Sequence, residues 1–428
     1  MRNKHIVVVL LIVLVCGCTS TEKIDHAVSN ALIEIASKDG FKPYKGNPVI
    51  TMGPEGSFDA GALGSMTIIQ VKGVFHIYYE AWGVRSKKEW DAAEYETLQI
   101  GHATSTDGIN WTKDPNNPVL KLGSKSEWDE TGVWDPYVIY EDGLFKMWYG
   151  GGGGRKPNIG WAYAESKDGS SFTKKGLIGT NNRSEVEDVH VVHDRTEGLY
   201  YLYYWHGNED VEHLYCVTSP TEKGFDFSES VKVDIAGDNS FWCKFGHVLK
   251  NEEGWHLFYS NYIAPHGKNS IVRYATSEDG INWQAKNKSL IYGLDADVLQ
   301  VSSDLYMMAY APENHFDKKD ADIRIALYNG KLSELPGKPP QVDSIAPSSI
   351  TGKSFHVDLG EEGAFNMTFQ QDGEVVMREL DNNIDPWRFN GFYVQQGDSI
   401  FIQGESMMGL AGIYDGKELH LQLRGNSE

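Results

Sequence analysis

From residue 41 to about residue 335 the chain is written in short segments where apolar and aromatic positions alternate with polar ones, cut by turns rich in Asp and Gly. That is the pattern of half-buried antiparallel strands. Gly73-Val74-Phe75-His76-Ile77-Tyr78-Tyr79 lines up with Gly143-Leu144-Phe145-Lys146-Met147-Trp148-Tyr149 without a gap. Related hairpins start at Glu197, Glu253 and Ser303, which makes five. A turn phrase recurs at intervals of roughly 55–60 residues. It reads Ser105-Thr106-Asp107-Gly108-Ile109-Asn110-Trp111, then Ser166-Lys167-Asp168-Gly169-Ser170-Ser171-Phe172, and later Ser277-Glu278-Asp279-Gly280-Ile281-Asn282-Trp283. One supersecondary unit is being copied, and the expected architecture is a five-bladed β-propeller.

Within each unit the prediction is an inner strand of unbroken apolar character (Pro136 to Tyr140), buried on both faces. A turn at Glu141-Asp142-Gly143, an aromatic second strand, a third strand (Ile159 to Ser166) and an outer strand complete the unit. The fifth unit stops after its third strand, Ile323 to Leu327. Because Asn47-Pro48-Val49-Ile50 matches Asn117-Pro118-Val119-Leu120, the segment Phe41 to Met52 is expected to cross over and complete the fifth blade, covering its exposed edge. Prolines 336, 339, 340 and 347 mark a stiff spacer, with a boundary near residue 340. Beyond it, seven short alternating stretches between Ser354 and Leu423 read as strands. The fold class is therefore all-β: a propeller over 41–335 followed by a small C-terminal β-barrel or β-sandwich over 341–428.

The N-terminus carries an address. Basic residues precede an apolar run, Ile6 to Val15, too short for a stable membrane span. Val15-Cys16-Gly17-Cys18 resembles the lipobox of bacterial lipoproteins, which implies a signal peptide over 1–18, lipid on Cys18 and a tether over 19–40; the stretch Asp25 to Lys38 reads as a short amphipathic helix or an ordered tether. The implied location is a bacterial membrane, on its periplasmic side or at the cell surface, with membrane contact only through the lipid. Cys216 and Cys243 then remain, either as one disulfide or as two separate buried thiols. A formal net charge of -21 argues against nucleic acid as a partner.

In a propeller, inner strands begin at one face, and the loops between second and third strands open on that same face, so candidate chemistry gathers in an axial funnel. The second blade opens with Val133-Trp134-Asp135-Pro136-Tyr137-Val138; Asp188 stands in register with Asp135, beside Glu187 and His190. Blade 4 contributes Lys244 and His247, blade 5 Asp295 and Asp297, and blade 1 Asp59, with Ser65 at the position equivalent to Asp135. The loops above offer Glu80, Trp82, Arg85, Trp134, Arg155, His206, Tyr262 and His315 as sugar-binding candidates: aromatic faces for C–H groups, and arginine forks for an anionic sugar. Asp107, Asp168 and Asp279 belong to turns on the opposite face and are structural. No zinc or EF-hand spacing is present in the sequence; no cofactor is expected, though the ring centre leaves room for a single structural cation.

Trp134-Asp135-Pro136-Tyr137-Val138, the strand Lys146-Met147-Trp148-Tyr149 and the Ser-x-Asp-Gly-x-x-Trp turns resemble the five-bladed glycoside hydrolases of families 43, 32, 117 and 130, over about residues 41–330. The resemblance implies a carbohydrate substrate and carboxylates at blade starts. Asp135 would be a stabiliser or pKa modulator and Glu187 or Asp188 the general acid. The hydrolytic base of blade 1 is replaced by Ser65, leaving Asp59 to reach in or the chemistry to differ. Two other readings stay open on the same residues: a glycan-binding lipoprotein without catalysis, and a uronic-acid lyase or dehydratase with His190, His247 or a tyrosine as base.

Overall fold

The structure, a computed structural model, describes residues 28–83, 98–152, 159–181, 187–208, 211–237, 243–262, 270–312 and 321–335, together with seven strands between 354 and 423. Five mainly antiparallel blades follow one another along the chain, the first two joined into one eight-stranded sheet by a parallel bridge between Leu98 and Gly132. Their inner strands are Ala62–Val71, Gly132–Glu141, Glu187–Asp194, Cys243–Asn251 and Leu294–Gln300. Each inner strand packs beside the next, and the fifth returns to the first, so the sheets form a closed five-bladed wheel. Residues 28–35 are helical.

Burial explains the composition of the inner strands. Ala62–Val71 and Gly132–Glu141 are buried over their first seven residues without alternation, because neighbours cover both faces. Apolar clusters fill the five seams, for example Ile68, Ile77, Met307 and Ile325 between blades 1 and 5, and Leu202, Tyr163, Val191 and Trp148 between blades 2 and 3. Cys216 lies in one of these seams as a free thiol. Burial pushes its pKa up to about 12, which leaves it unreactive.

Each Asp-Gly turn is closed by its own aspartate. Asp107 Oδ1 accepts from the amides of Ile109 and Asn110 at 2.8 and 2.7 Å, and Trp111 Nε1 donates to the Gly108 carbonyl. The same pattern surrounds Asp279. These turns also join blades, since Tyr78 Oη of blade 1 donates to Gly169 O of blade 2 and Tyr203 Oη of blade 3 to Gly280 O of blade 4, both at 2.9 Å. Gly169 (φ 78°) and Gly280 (φ 76°) have to be glycine, because a Cβ would lie 2.8 and 2.7 Å from those phenolic oxygens.

Closure of the ring follows the crossover expected from the Asn-Pro repeats. Lys42–Pro43 pairs with the third strand of blade 5, and Asn47 completes the edge by donating to Ile325 O and accepting from Ile325 N, both at 2.9 Å. Asn117 performs the same double contact on His102 in blade 1. The C-terminal strands, Ser354–Asp358 through Leu419–Leu423, pair in chain order as one antiparallel meander of seven.

Asp59 must be reassigned. It is 2% exposed and holds Lys113 Nζ at 2.5 Å, pinning the loop that enters blade 1 to that blade's outer strand. Asp129 does the same in blade 2 through Lys174 at 2.6 Å. A carboxylate committed to a lysine in a repeated structural clasp is not a catalytic group.

Unfolding measurements test both kinds of structural aspartate. Burial alone would raise the Asp107 pKa, but the hydrogen bonds from Asn110, Ile109 and Ser105 outweigh it and hold the carboxyl at about 2. A depressed folded-state pKa contributes stability that is complete above the unfolded value and fades as pH falls through the folded one. Asp107→Ala is therefore expected to cost about 1–2 kcal/mol at neutral pH, with the gap to wild type narrowing below about pH 4 in thermal unfolding. Asp59→Asn should lower stability by about 1–3 kcal/mol while leaving turnover per folded molecule unchanged. Loss of turnover in the fully folded variant would return Asp59 to the chemistry.

Candidate active site

Strand pairing is interrupted at the same place in every inner strand. Register breaks lie between Leu63 and Met66, Trp134 and Tyr137, Glu187 and His190, Lys244 and Gly246, and Leu294 and Asp297. Such bulges bend a strand and re-aim the extra residue. In blades 2, 3 and 5 the re-aimed residue is Asp135, Asp188 or Asp295, with φ of 47°, 47° and 53°. Positive φ is uncommon for a residue with a side chain, and Asp is among the few that tolerate it. The three aspartates, 8, 5 and 7% exposed, line one small hollow of about 20 Å³ with Ser65 and His190.

Carboxylates and amides link these bulges from blade to blade. Asp188 N donates to Asp135 Oδ2 at 2.9 Å, and Asp135 N donates to Glu80 Oε2 at 3.2 Å. On the other side of the ring, Ile68 N of blade 1 donates to Asp297 Oδ2 of blade 5 at 2.7 Å. Glu80, expected as an exposed sugar contact, is instead 6% exposed and sits against Asp135. Burial, and then the charges of Asp135 and Asp295, push its carboxyl well above the usual range, and a side-chain hydrogen bond with Asp135 adds to the effect. These effects favour the protonated form of Glu80.

One step deeper along the inner strands the blades contribute Thr67, Tyr137, His190, His247 and Asp297, which pair with Tyr78, Trp148, Tyr203, Phe258 and Ala309. Tyr137 packs between the two imidazoles, with ring centroids 4.9 Å from His190 and 5.9 Å from His247. His247 Nδ1 meets Asp297 Oδ1. Burial, reinforced by His247, holds His190 well below the ordinary histidine pKa, so it is neutral. Tyr137 is pushed far above the ordinary phenol by burial and then by Asp297, which removes it as a base near neutrality.

The two histidines, Asp135 and Asp188 therefore converge as expected, while other candidates do not present themselves to a ligand. Trp134 is 7% exposed, and its indole fills the space over Gly150, where a Cβ would lie 2.4 Å from Nε1. It is a wall residue, not a sugar platform. Trp82 is half-buried and lies over Gly64. Glu187, His206 and Tyr262 occupy strand positions, but their side chains, like Lys244, fall outside the described ones; Cys18, Arg85, Arg155 and His315 lie outside the described residues altogether. Among the described residues no group of three or more His, Cys, Asp or Glu side chains is arranged to hold a metal ion.

No family model matches the chain. It is 24% identical over 229 residues to the 1,2-beta-oligomannan phosphorylase of Thermoanaerobacter sp. (strain X514), covering 51% of this chain and 70% of that enzyme. An uncharacterized protein of Mycobacterium tuberculosis (strain ATCC 25618 / H37Rv) is 23% identical over 246 residues, 52% of this chain and 75% of that one. Among solved structures, the beta-1,2-mannobiose phosphorylase from Listeria innocua superposes with a TM-score of 0.52 at 18% identity, covering 69% of this chain and 98% of that chain. A structure from the GH130 family of mannoside phosphorylases, described as containing glycoside hydrolases that target beta-1,2 mannosidic linkages in Candida mannan, gives 0.52 at 15% identity, covering 68% and 94%. The propeller of this chain thus has the fold of the five-bladed glycoside hydrolases and mannoside phosphorylases.

Proposed function

We propose that the protein is a carbohydrate-active enzyme that hydrolyses a glycosidic bond of a β-mannoside in the axial hollow. The observation that carries this reading is the repetition of Asp135, Asp188 and Asp295 at one strained bulge position around one cavity. Glycoside cleavage needs a proton for the leaving oxygen and a carboxylate for the developing positive charge or the attacking water. Carboxyl groups crowded into a desolvated site titrate apart, so that one carries the proton while another stays charged. Asp188 takes the role of acid, Asp135 that of stabilising carboxylate, and Asp295 is placed to activate water.

Hydrolysis is preferred because three carboxylates, Asp135, Asp188 and Asp295, line the hollow and can divide the acid, stabilising and water-activating roles. Phosphorolysis is the second reading, favoured by the similarity to the oligomannan phosphorylase. The proton-abstraction reading loses its tyrosine base, since Tyr137 is held protonated. The lipobox-like Cys18 supports action from a bacterial membrane surface, with the catalytic wheel tethered by its N-terminus.

Incubating the full chain with β-1,2-mannobiose, with and without inorganic phosphate, separates the readings. Hydrolysis yields free mannose at a rate indifferent to phosphate, and Asp135→Asn should lower that rate about 10²–10⁴-fold without loss of folding. Mannose 1-phosphate formed only when phosphate is present would replace hydrolysis by phosphorolysis. Undiminished turnover by the variant would remove Asp135 from the mechanism.

A further inference from the structure

We propose that Glu80 is the positioning residue of Asp135: reaching in from the second strand of blade 1, it stands in for the acid that the inner strand of that blade lacks, fixes the Asp135 backbone and shares a proton with its carboxylate. The kinetic consequence of this role rests on glycoside cleavage in the hollow; its effect on stability does not.

Blades 1 and 2, whose strands correspond residue for residue, exchange bulk between their strands. Ser65 occupies in blade 1 the place of Asp135, Gly64 that of Trp134, and Glu80 that of Gly150. In blade 2 the inner strand carries the large side chain and the second strand is emptied beneath it: a Cβ on Gly150 would lie 2.4 Å from the Trp134 indole nitrogen. Blade 1 reverses the arrangement, since a Cβ on Gly64 would lie 2.5 Å from Glu80 Oε1. Emptying Gly64 is what lets Glu80 cross to the inner wall.

There it accepts the Asp135 amide. That amide belongs to a residue held at positive φ, a conformation that persists only where its surroundings over-determine it. Glu80 is 6% exposed, and among the described residues no lysine or arginine pairs with it. The charged groups that face it are Asp135 from blade 2 and Asp295 from blade 5, both acids. A carboxyl buried between two acids is driven towards its protonated form, whose O–H can donate to Asp135 while its other oxygen accepts the amide. The contact is therefore a device that orients Asp135 and spares it a second negative charge at its side.

Two measurements on the full-length chain decide the matter. In the first, the Tm of wild type and of Glu80→Gln is followed from about pH 5 to about pH 8. The fold prefers the neutral acid, whereas the unfolded chain ionises it above its ordinary value of about 4.5. Wild type therefore loses stability as pH rises, at up to about tenfold in the folding equilibrium per pH unit. The glutamine variant cannot ionise, so its Tm advantage over wild type should widen with pH. A Tm difference that stays constant across the range would overturn the shared proton, since a plain structural hydrogen bond carries no such dependence.

The second measurement is the pH profile of kcat and KM on β-1,2-mannobiose. Glu80→Gln, which can still accept and donate, should keep KM within about threefold and lose the alkaline limb that reports ionisation of the pair. Glu80→Ala should lower kcat about 10²-fold by letting Asp135 move. Wild-type kcat in the alanine variant would overturn the positioning role. A wild type that leaves the disaccharide intact would defeat the functional reading alone, because the Tm comparison reads Glu80 without turnover.

Discussion

The molecule depends on a carboxylate of one blade accepting the backbone amide of the next. Glu80 holds the Asp135 amide, Asp135 holds the Asp188 amide, and Asp297 holds the Ile68 amide across the closing seam. A bulge releases a strand amide from its ladder, and a buried amide left unpaired is costly. Here the bulge amides of Asp135 and Asp188 are taken up by side chains of the preceding blade. The same contacts that close the wheel therefore place acids around its axis, so architecture and chemistry share their residues. On the opposite face the corresponding work is done by neutral groups, Tyr78 and Tyr203 on the turn carbonyls of Gly169 and Gly280.

That asymmetry gives the two faces different electrostatic characters. The turn aspartates are depressed by local amides and stay charged near solvent, as Asp107 shows. On the other face Glu80 is driven towards its neutral form, and the buried imidazole of His190 towards its own. Desolvation is the common cause, and it acts hardest where the inner strands converge. The hollow is lined by Asp135, Asp188, Asp295 and His190, and Tyr137 packs against that imidazole.

Much of this is legible along the chain because it is local or repeated. The turns, the aromatic second strands and the Asn47 and Asn117 clasps recur with their neighbours in sequence, and Asp135 and Asp188 share an offset from a repeated hairpin. Sequence misleads where a partner is remote. Asp59 can be read as a substitute base, but its recurrence as Asp129 in blade 2 favours a structural role; what the sequence leaves out is the partner, Lys113, 54 positions away. Glu80 reads as a loop-borne sugar contact, though its partner is the amide of Asp135, 55 positions on. A usable signal does exist: the reciprocal exchange of Gly64 with Trp134 and of Glu80 with Gly150 in an otherwise gapless match. A small residue facing a large one, reversed between two repeats, marks a side chain crossing between strands.

Diffraction from crystals of the protein soaked in a β-1,2-linked mannoside would show where on the wheel the sugar binds. Cleavage in the hollow predicts a sugar seated over Asp135, Asp188 and Asp295, with its glycosidic oxygen about 3 Å from one of the three carboxyl groups. Sugar bound on the turn face or along the outer strands, with the three aspartates untouched, would contradict it.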